Sequence, residues 1–296
     1  MKQLDPFIGE LELQQVHMGS LQPFIEHRRS SGVKTKTVNA ALAVVRRIVN
    51  LAAYEWMDER GLTWLEAATR IKLFPIKDAR TPYPLSQEEQ AVLLKELPEH
   101  LARMALFKVN TGCREQEVCN LRWDYEVKVP GLNTSVFIIP GEGVKNGDDR
   151  LVVLNSVAKG VIESMRGLHS THVFVRVRGK KAKAEPVTKM YNTAWKSARE
   201  RAATAWAKRQ DAAAPEGFRK VRVHDLKHTF GRRLRAAGVS FEDRQDLLGH
   251  RSGRITTHYS RAEIGKLIEA AEKACSKSRK SPATFWLRLP GGVVSA

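Results

Sequence analysis

The sequence predicts a mainly α protein with a small antiparallel β-sheet, an α+β class, divided into two domains. Three observations lead there. Val38, Leu42, Val45, Val49, Ala52 and Trp56 step by threes and fours, one apolar stripe on a helix of about five turns. Two β-rich runs, residues 135–139 and 150–154, flank a stretch containing Asn146-Gly147, whose tolerance of positive φ suits a hairpin turn. Prolines crowd residues 74–84 and interrupt the helical periodicity, which marks a linker between domains.

Residues 21–27 and 62–69 also read as helical, so residues 1–82 form a small helical module with its linker. Ser86-x-x-Glu89 is a capping box and opens the second domain, which starts near residue 83. A helix over 99–110 ends at Gly112, and Arg114 opens the next one, where free backbone N–H groups favour an anion. An ordinary ion pair with Glu117 is the alternative reading of Arg114. Lys145 stands on an arm of the hairpin. Residues 156–165 read as a helix, 172–175 as a short strand, 178–183 as a basic loop and 188–207 as a long helix. Leu226, Phe230, Leu234 and Ala237 stripe a helix that begins near His224 and closes at Gly238, with His224 and Lys227 together on a different face. Ser240-x-x-Asp243 starts a helix running to Leu248-Gly249, which places His250 in or near a turn. A last helix spans 262–274, and residues 276–296 read as a basic, flexible tail.

With 50 Lys and Arg against 32 Asp and Glu, the 296-residue chain carries a formal charge of +18. Polyanions able to neutralise it are nucleic acids or anionic membranes. Nucleic acid is favoured over membrane, because no apolar run approaches the roughly 18 residues a span requires. No secretory segment is evident, which predicts a cytoplasmic protein. Cys113, Cys119 and Cys275 form no C-x-x-C pair, so neither a disulfide framework nor a zinc site is expected. Arg28, Arg29, Lys34, Lys36, Arg46 and Arg47 occur without an intervening acid, a pattern suited to phosphate contact or to a solvated face.

In order and spacing, Thr111-Gly-Cys-Arg114-Glu-Gln-Glu117, Lys145, His224-Asp-Leu-x-His228, Leu248-Gly-His250 and Thr257-His-Tyr259 resemble the tyrosine recombinase (phage integrase) family. The likeness covers residues 83–275, and the helix over 38–56 is similar to the family's core-binding domain. It implies a C-shaped DNA clamp acting on double-stranded attachment sites as a homotetramer. The post-tyrosine helix would dock on a neighbouring protomer, and accessory DNA-bending or excision factors would assist. Tyr259 is the implied nucleophile, forming a 3′-phosphotyrosyl link. Arg114 clamps the phosphate, Lys145 protonates the leaving 5′-oxygen, His224 assists proton transfer at the tyrosine, and His250 donates to a non-bridging oxygen. Arg222 and Arg251 join the amino-terminal basic residues as DNA contacts, and neither metal nor cofactor is implied.

Two departures stand out. Lys227 occupies the place of the second arginine in the family's His-x-x-Arg pattern, keeping the charge and losing the bidentate fork. Many phage integrases carry an extra arm-binding domain at the amino terminus, whereas this sequence begins almost directly with the core-binding helices, as in a simple Xer-type recombinase or a sequence whose start has been lost. The stretch after the tyrosine, Ser260-Arg-Ala-Glu-Ile-Gly-Lys-Leu-Ile-Glu-Ala-Ala, looks more like phage integrases, so the resemblance points to a prophage-type integrase in a bacterial cytoplasm, nucleoid-associated when bound. A binding-only integrase remnant and a type IB topoisomerase are the alternatives.

Overall fold

The computed structural model describes residues 2–143, 147–177, 183–250 and 260–275. The chain forms two units, Met1–Thr81 and Pro82–Ala296.

The first unit contains α1 (Asp5–Ile8), α2 (Gln22–Ser30) and α3 (Thr35–Tyr54). The expected stripe of α3 is buried through Val38, Leu42, Val45 and Val49, packed with Phe24 and Ile25 of α2. Asn39 fastens the outgoing chain, donating to the Phe74 carbonyl at 2.7 Å and accepting the Phe74 N–H at 2.9 Å. Residues 62–69 are not helical. Gly61 reverses the chain at φ +77°, and the Asp58 carboxylate accepts the N–H groups of Arg60 and Leu62, both at 2.9 Å. Met57 then pairs with Thr63, and the rings of Trp56 and Trp64 lie 5.1 Å apart. A side-chain cap on a glycine turn has outcompeted the local helical pattern.

The second unit opens with α4 (Gln87–Glu96), where Ser86 and Glu89 form the expected reciprocal cap. It continues with α5 (Glu99–Thr111), α6 (Glu115–Cys119) and a three-stranded antiparallel sheet, β1 (Glu126–Lys128), β2 (Ser135–Ile139) and β3 (Arg150–Val153). The short edge strand β1 was not expected. Side chains alternate across the pleat. Phe137, Ile139, Val152 and Leu154 enter the main core, while Val136 and Val153 enter a second core with Phe230, Leu234 and Leu247.

The register pairs Ile139 with Arg150, so the connection is longer than a two-residue turn at Asn146-Gly147. Pro140 cannot extend the ladder, and a tight turn over Gly141–Gly143 follows, with the Gly141 N–H held by Asp149 at 2.8 Å. Asn146 itself lies outside the described residues.

Next come α7 (Ser156–Met165), a two-stranded ribbon of β4 (Val175–Arg176) and β5 (Glu185–Pro186), and α8 (Thr193–Gln210). Helix α8 starts later than the apolar pattern suggested because Asn192 caps the Trp195 N–H at 3.0 Å. The fold closes with α9 (Glu216–Arg219), α10 (Val223–Ala236), α11 (Phe241–Leu248) and α12 (Arg261–Glu272). Helix α12 is seated on its own chain. Leu267, Ala270 and Ala271 fill the second core, and Glu272 accepts from the Ser156 N–H at 2.7 Å and its hydroxyl at 2.6 Å. Among the described residues no helix is long and apolar enough to cross a membrane.

Candidate active site

Helix α5 ends because Gly112 turns left-handed, at φ +65°, and a Cβ there would stand only 2.8 Å from Phe230. Helix α11 ends likewise at Gly249, φ +57°, with the N–H groups of Gly249 and His250 returning at 3.0 Å to the carbonyls of Asp246 and Gln245. A helix ended this way leaves its last carbonyls without intrahelical donors.

Two such ends meet here, and cationic side chains take up the carbonyls of both. On the α5 side Thr111 O accepts from Arg150 Nη2 at 3.4 Å, Gly112 O from Lys227 Nζ at 3.0 Å, and Cys113 O from Lys108 Nζ. On the α11 side Leu247 O accepts from Arg150 Nη2 at 3.3 Å, and Leu248 O accepts from Arg150 Nη1 at 2.8 Å and from Lys227 Nζ. Gly249 O accepts from Arg114 Nη2 at 3.3 Å.

Glu117 is the carboxylate among these cations. It accepts the Arg114 guanidinium and the Arg114 N–H, both at 2.7 Å, and lies 3.3 Å from Arg150 Nε. Burial pushes its carboxyl up, but Arg150 and the hydrogen bonds from Arg114 outweigh that and hold it below the usual range. Arg150 and Glu117 are both only 2% exposed at their side chains, so little solvent screens the pair. Arg114, Arg150, Lys227 and Lys108 outnumber Glu117 and the nearby Glu115, which leaves the pocket positive. Burial, followed by the charges of Arg150 and Arg114, brings Lys227 down to about 7. Burial brings Lys108 down to about 8.

The imidazoles respond to the same field. His224 is lowered first by burial and then by Lys108, and His250 first by burial and then by Lys227 and Arg114. Both are thereby biased to the neutral form, which can accept a proton through one ring nitrogen and donate through the other. His224 packs edge-on against His228 with centroids 4.9 Å apart, and His250 Nδ1 lies 3.0 Å from Gln245 Oε1.

The structure thus gathers Arg114, Lys227 and His250 at one turn, with His224 one helical turn ahead of Lys227 on α10. Lys227 is buried, while His224, three positions ahead of it on the same helix, is exposed. Arg114 makes the ion pair with Glu117 and also reaches the Gly249 turn. Lys145, Arg251 and Tyr259 lie outside the described residues. Arg222 is exposed at the start of α10.

In the first unit Arg29, Lys34, Lys36, Arg46 and Arg47 are exposed and Arg28 is half-buried. The Arg29 guanidinium stacks 4.2 Å above Phe74, Lys34 donates to Asp78 O at 3.2 Å, and Arg47 lies 3.6 Å from Glu55. Among the described residues no three His, Cys, Asp or Glu side chains are grouped to hold a metal. Sequence reasoning missed Arg150 and Lys108. Their signal was a cation abutting apolar residues, Arg150 directly before Leu151-Val152-Val153 and Lys108 between Phe107 and Val109.

Residues 84–265 match the model of the phage integrase family. The chain is 28% identical over 262 residues to the integrase of Salmonella phage P22, covering 85% of this chain and 60% of that protein. It is 26% identical over 258 residues to the tyrosine recombinase XerA of Pyrococcus furiosus, covering 85% of this chain and 78% of that protein. Among solved structures it is similar to a lambda integrase dimer bound to a COC′ core site, with a TM-score of 0.62 at 14% identity over 88% of this chain and 87% of that one. A XerH site-specific recombinase bound to a palindromic difH substrate gives a TM-score of 0.54 at 16% identity over 90% and 74%. With the family model spanning more than half its length, the chain belongs to the phage integrase family of site-specific tyrosine recombinases.

Proposed function

We propose that the chain cleaves and rejoins double-stranded DNA at attachment sites through a 3′-phosphotyrosyl intermediate. In this reading residues 1–82 are the core-binding domain with its linker, 83–275 the catalytic domain and 276–296 a basic tail. The observation that carries it is the gathering of Arg114, Lys227 and His250 on the turn at residues 248–250, within a net positive pocket.

A phosphodiester gains negative charge as phosphorus becomes five-coordinate, so fixed cations and donors stabilise the transition state more than the ground state. The Tyr259 phenol oxygen attacks phosphorus, the bond to the 5′-oxygen breaks, and that oxygen leaves with a proton from Lys145. His224, held neutral, takes the phenolic proton. Arg114 grips two phosphoryl oxygens through its planar fork, and His250 donates to a non-bridging one. A 5′-hydroxyl from a second duplex reverses the step, so the linkage is conserved without a cofactor. Arg28, Arg29, Lys34, Lys36, Arg46, Arg47, Arg222 and Arg251 position the duplex by phosphate contact. Exchange between two duplexes calls for a homotetramer, with bending or excision factors setting direction.

The test uses a duplex selected from a random library by Tyr259→Phe protein. Nicked to trap the intermediate, it forms a covalent adduct with the native chain and none with Tyr259→Phe, while both shift it equally in a gel. Identical behaviour of the two proteins in both assays rejects cleavage in favour of binding alone.

A further inference from the structure

We infer that Arg150 is a positioning residue for the reaction, a buried fork that sets Arg114 and His250 relative to one another. The inference rests on the recombinase reading and deepens it.

Arg150 sits at the start of β3, five positions after Lys145 in the sequence, and belongs to none of the motifs that mark the family resemblance. Its guanidinium reaches four groups from two directions. Thr111 O and the Glu117 carboxylate belong to the segment that bears Arg114, and Leu247 O and Leu248 O end the helix that delivers His250. Glu117 in turn holds both the N–H and the guanidinium of Arg114. The chain from Arg150 to Arg114 therefore has one link, Glu117, and the chain to His250 has one link, the Gly249 turn.

Lys227 spans the same gap between Gly112 O and Leu248 O. An ammonium is a point donor, whereas the planar fork of arginine fixes direction as well as distance. Where lysine replaces arginine at position 227, the directional share of the bridge falls to Arg150. Gly249 is shaped to this neighbour: a Cβ there would stand 2.1 Å from Arg150 Nη1.

The test needs one readout independent of cleavage. In full-length protein labelled at histidine, NMR titration follows His250 in the native chain, Arg150→Met and Arg150→Lys, with thermal melting as the check on folding. Arg150→Met removes a nearby cation, so the His250 titration moves up, and Arg150→Lys leaves it in place. On the nicked, selected duplex at saturation, Arg150→Met slows single-turnover adduct formation about a hundredfold and Arg150→Lys about tenfold, with duplex affinity unchanged within about twofold.

A His250 titration unmoved in folded Arg150→Met overturns the proposal. So does native-rate cleavage by Arg150→Lys, the variant that decides if Arg150→Met does not fold, because one ammonium cannot serve four groups. Should the native chain form no adduct at all, the recombinase reading fails while the titration still decides whether Arg150 controls His250.

Discussion

The guanidinium of Arg150 occupies the space that a side chain on Gly249 would need, with Nη1 only 2.1 Å from the position of its Cβ. Gly249 also lies at φ +57°, a conformation that costs an L-residue about 1 kcal/mol. Gly249→Ala therefore combines backbone strain with displacement of a buried cation. Its expected cost is about 2–3 kcal/mol in denaturant unfolding, with an adduct rate reduced by at least about tenfold. A variant that melts and cleaves like the native chain shows that Arg150 can move aside freely.

Lys227 holds two carbonyls with one ammonium and supplies the charge beside Arg114. Lys227→Ala removes a donor from Gly112 O, leaves Leu248 O to Arg150, and is expected to abolish detectable adduct. Lys227→Arg restores a fork and is expected to raise the single-turnover rate several-fold. Measured on the same nicked duplex, a slower Lys227→Arg would mean that the pocket has been rebuilt around an ammonium.

The same lysine makes stability depend on pH. Its folded value is about 7 against 10.5 for the free side chain, so between those values the unfolded state binds more protons. Stability then rises as pH increases through that window, and below pH 7 the contribution of this group is flat. From pH 7 to 9 the native chain should gain up to about 2 kcal/mol relative to Lys227→Met in urea unfolding. Parallel curves for the two proteins would remove the claim that Lys227 is depressed.

On α3, Lys36 and Arg47 are eleven positions apart, a spacing that returns to the same side of a helix, and both are exposed. If they contact phosphates, Lys36→Ala with Arg47→Ala lowers duplex affinity and reduces the slope of log affinity against log salt by about 2. Fluorescence anisotropy over a salt series measures this, and an unchanged slope places the DNA elsewhere.

The elements legible in the sequence are those fixed by local chemistry. The α3 stripe, the Ser86 and Glu89 cap, and the α10 stripe through Leu226, Phe230 and Leu234 each follow from spacing alone. Where a distant partner or a turn competes, the pattern misleads. Residues 62–69 carry helical spacing yet are pulled into a turn by Asp58 and Gly61. The strand β1 has three residues and exists because β2 pairs with it. Motif order was enough to nominate Arg114, His224, Lys227 and His250. Arg150 was invisible because its main acceptor, Leu248 O, lies 98 positions further along the chain.

The convergence of two helix carboxyl ends has an electrostatic consequence. Each such end bears roughly half a negative charge, so the bare backbone presents the wrong sign to a phosphodiester. The side chains reverse that polarity, and some of their charge is used in doing so. The pocket therefore has little reserve: removing two of its cations would erase its attraction for the DNA backbone, however well the fold survived.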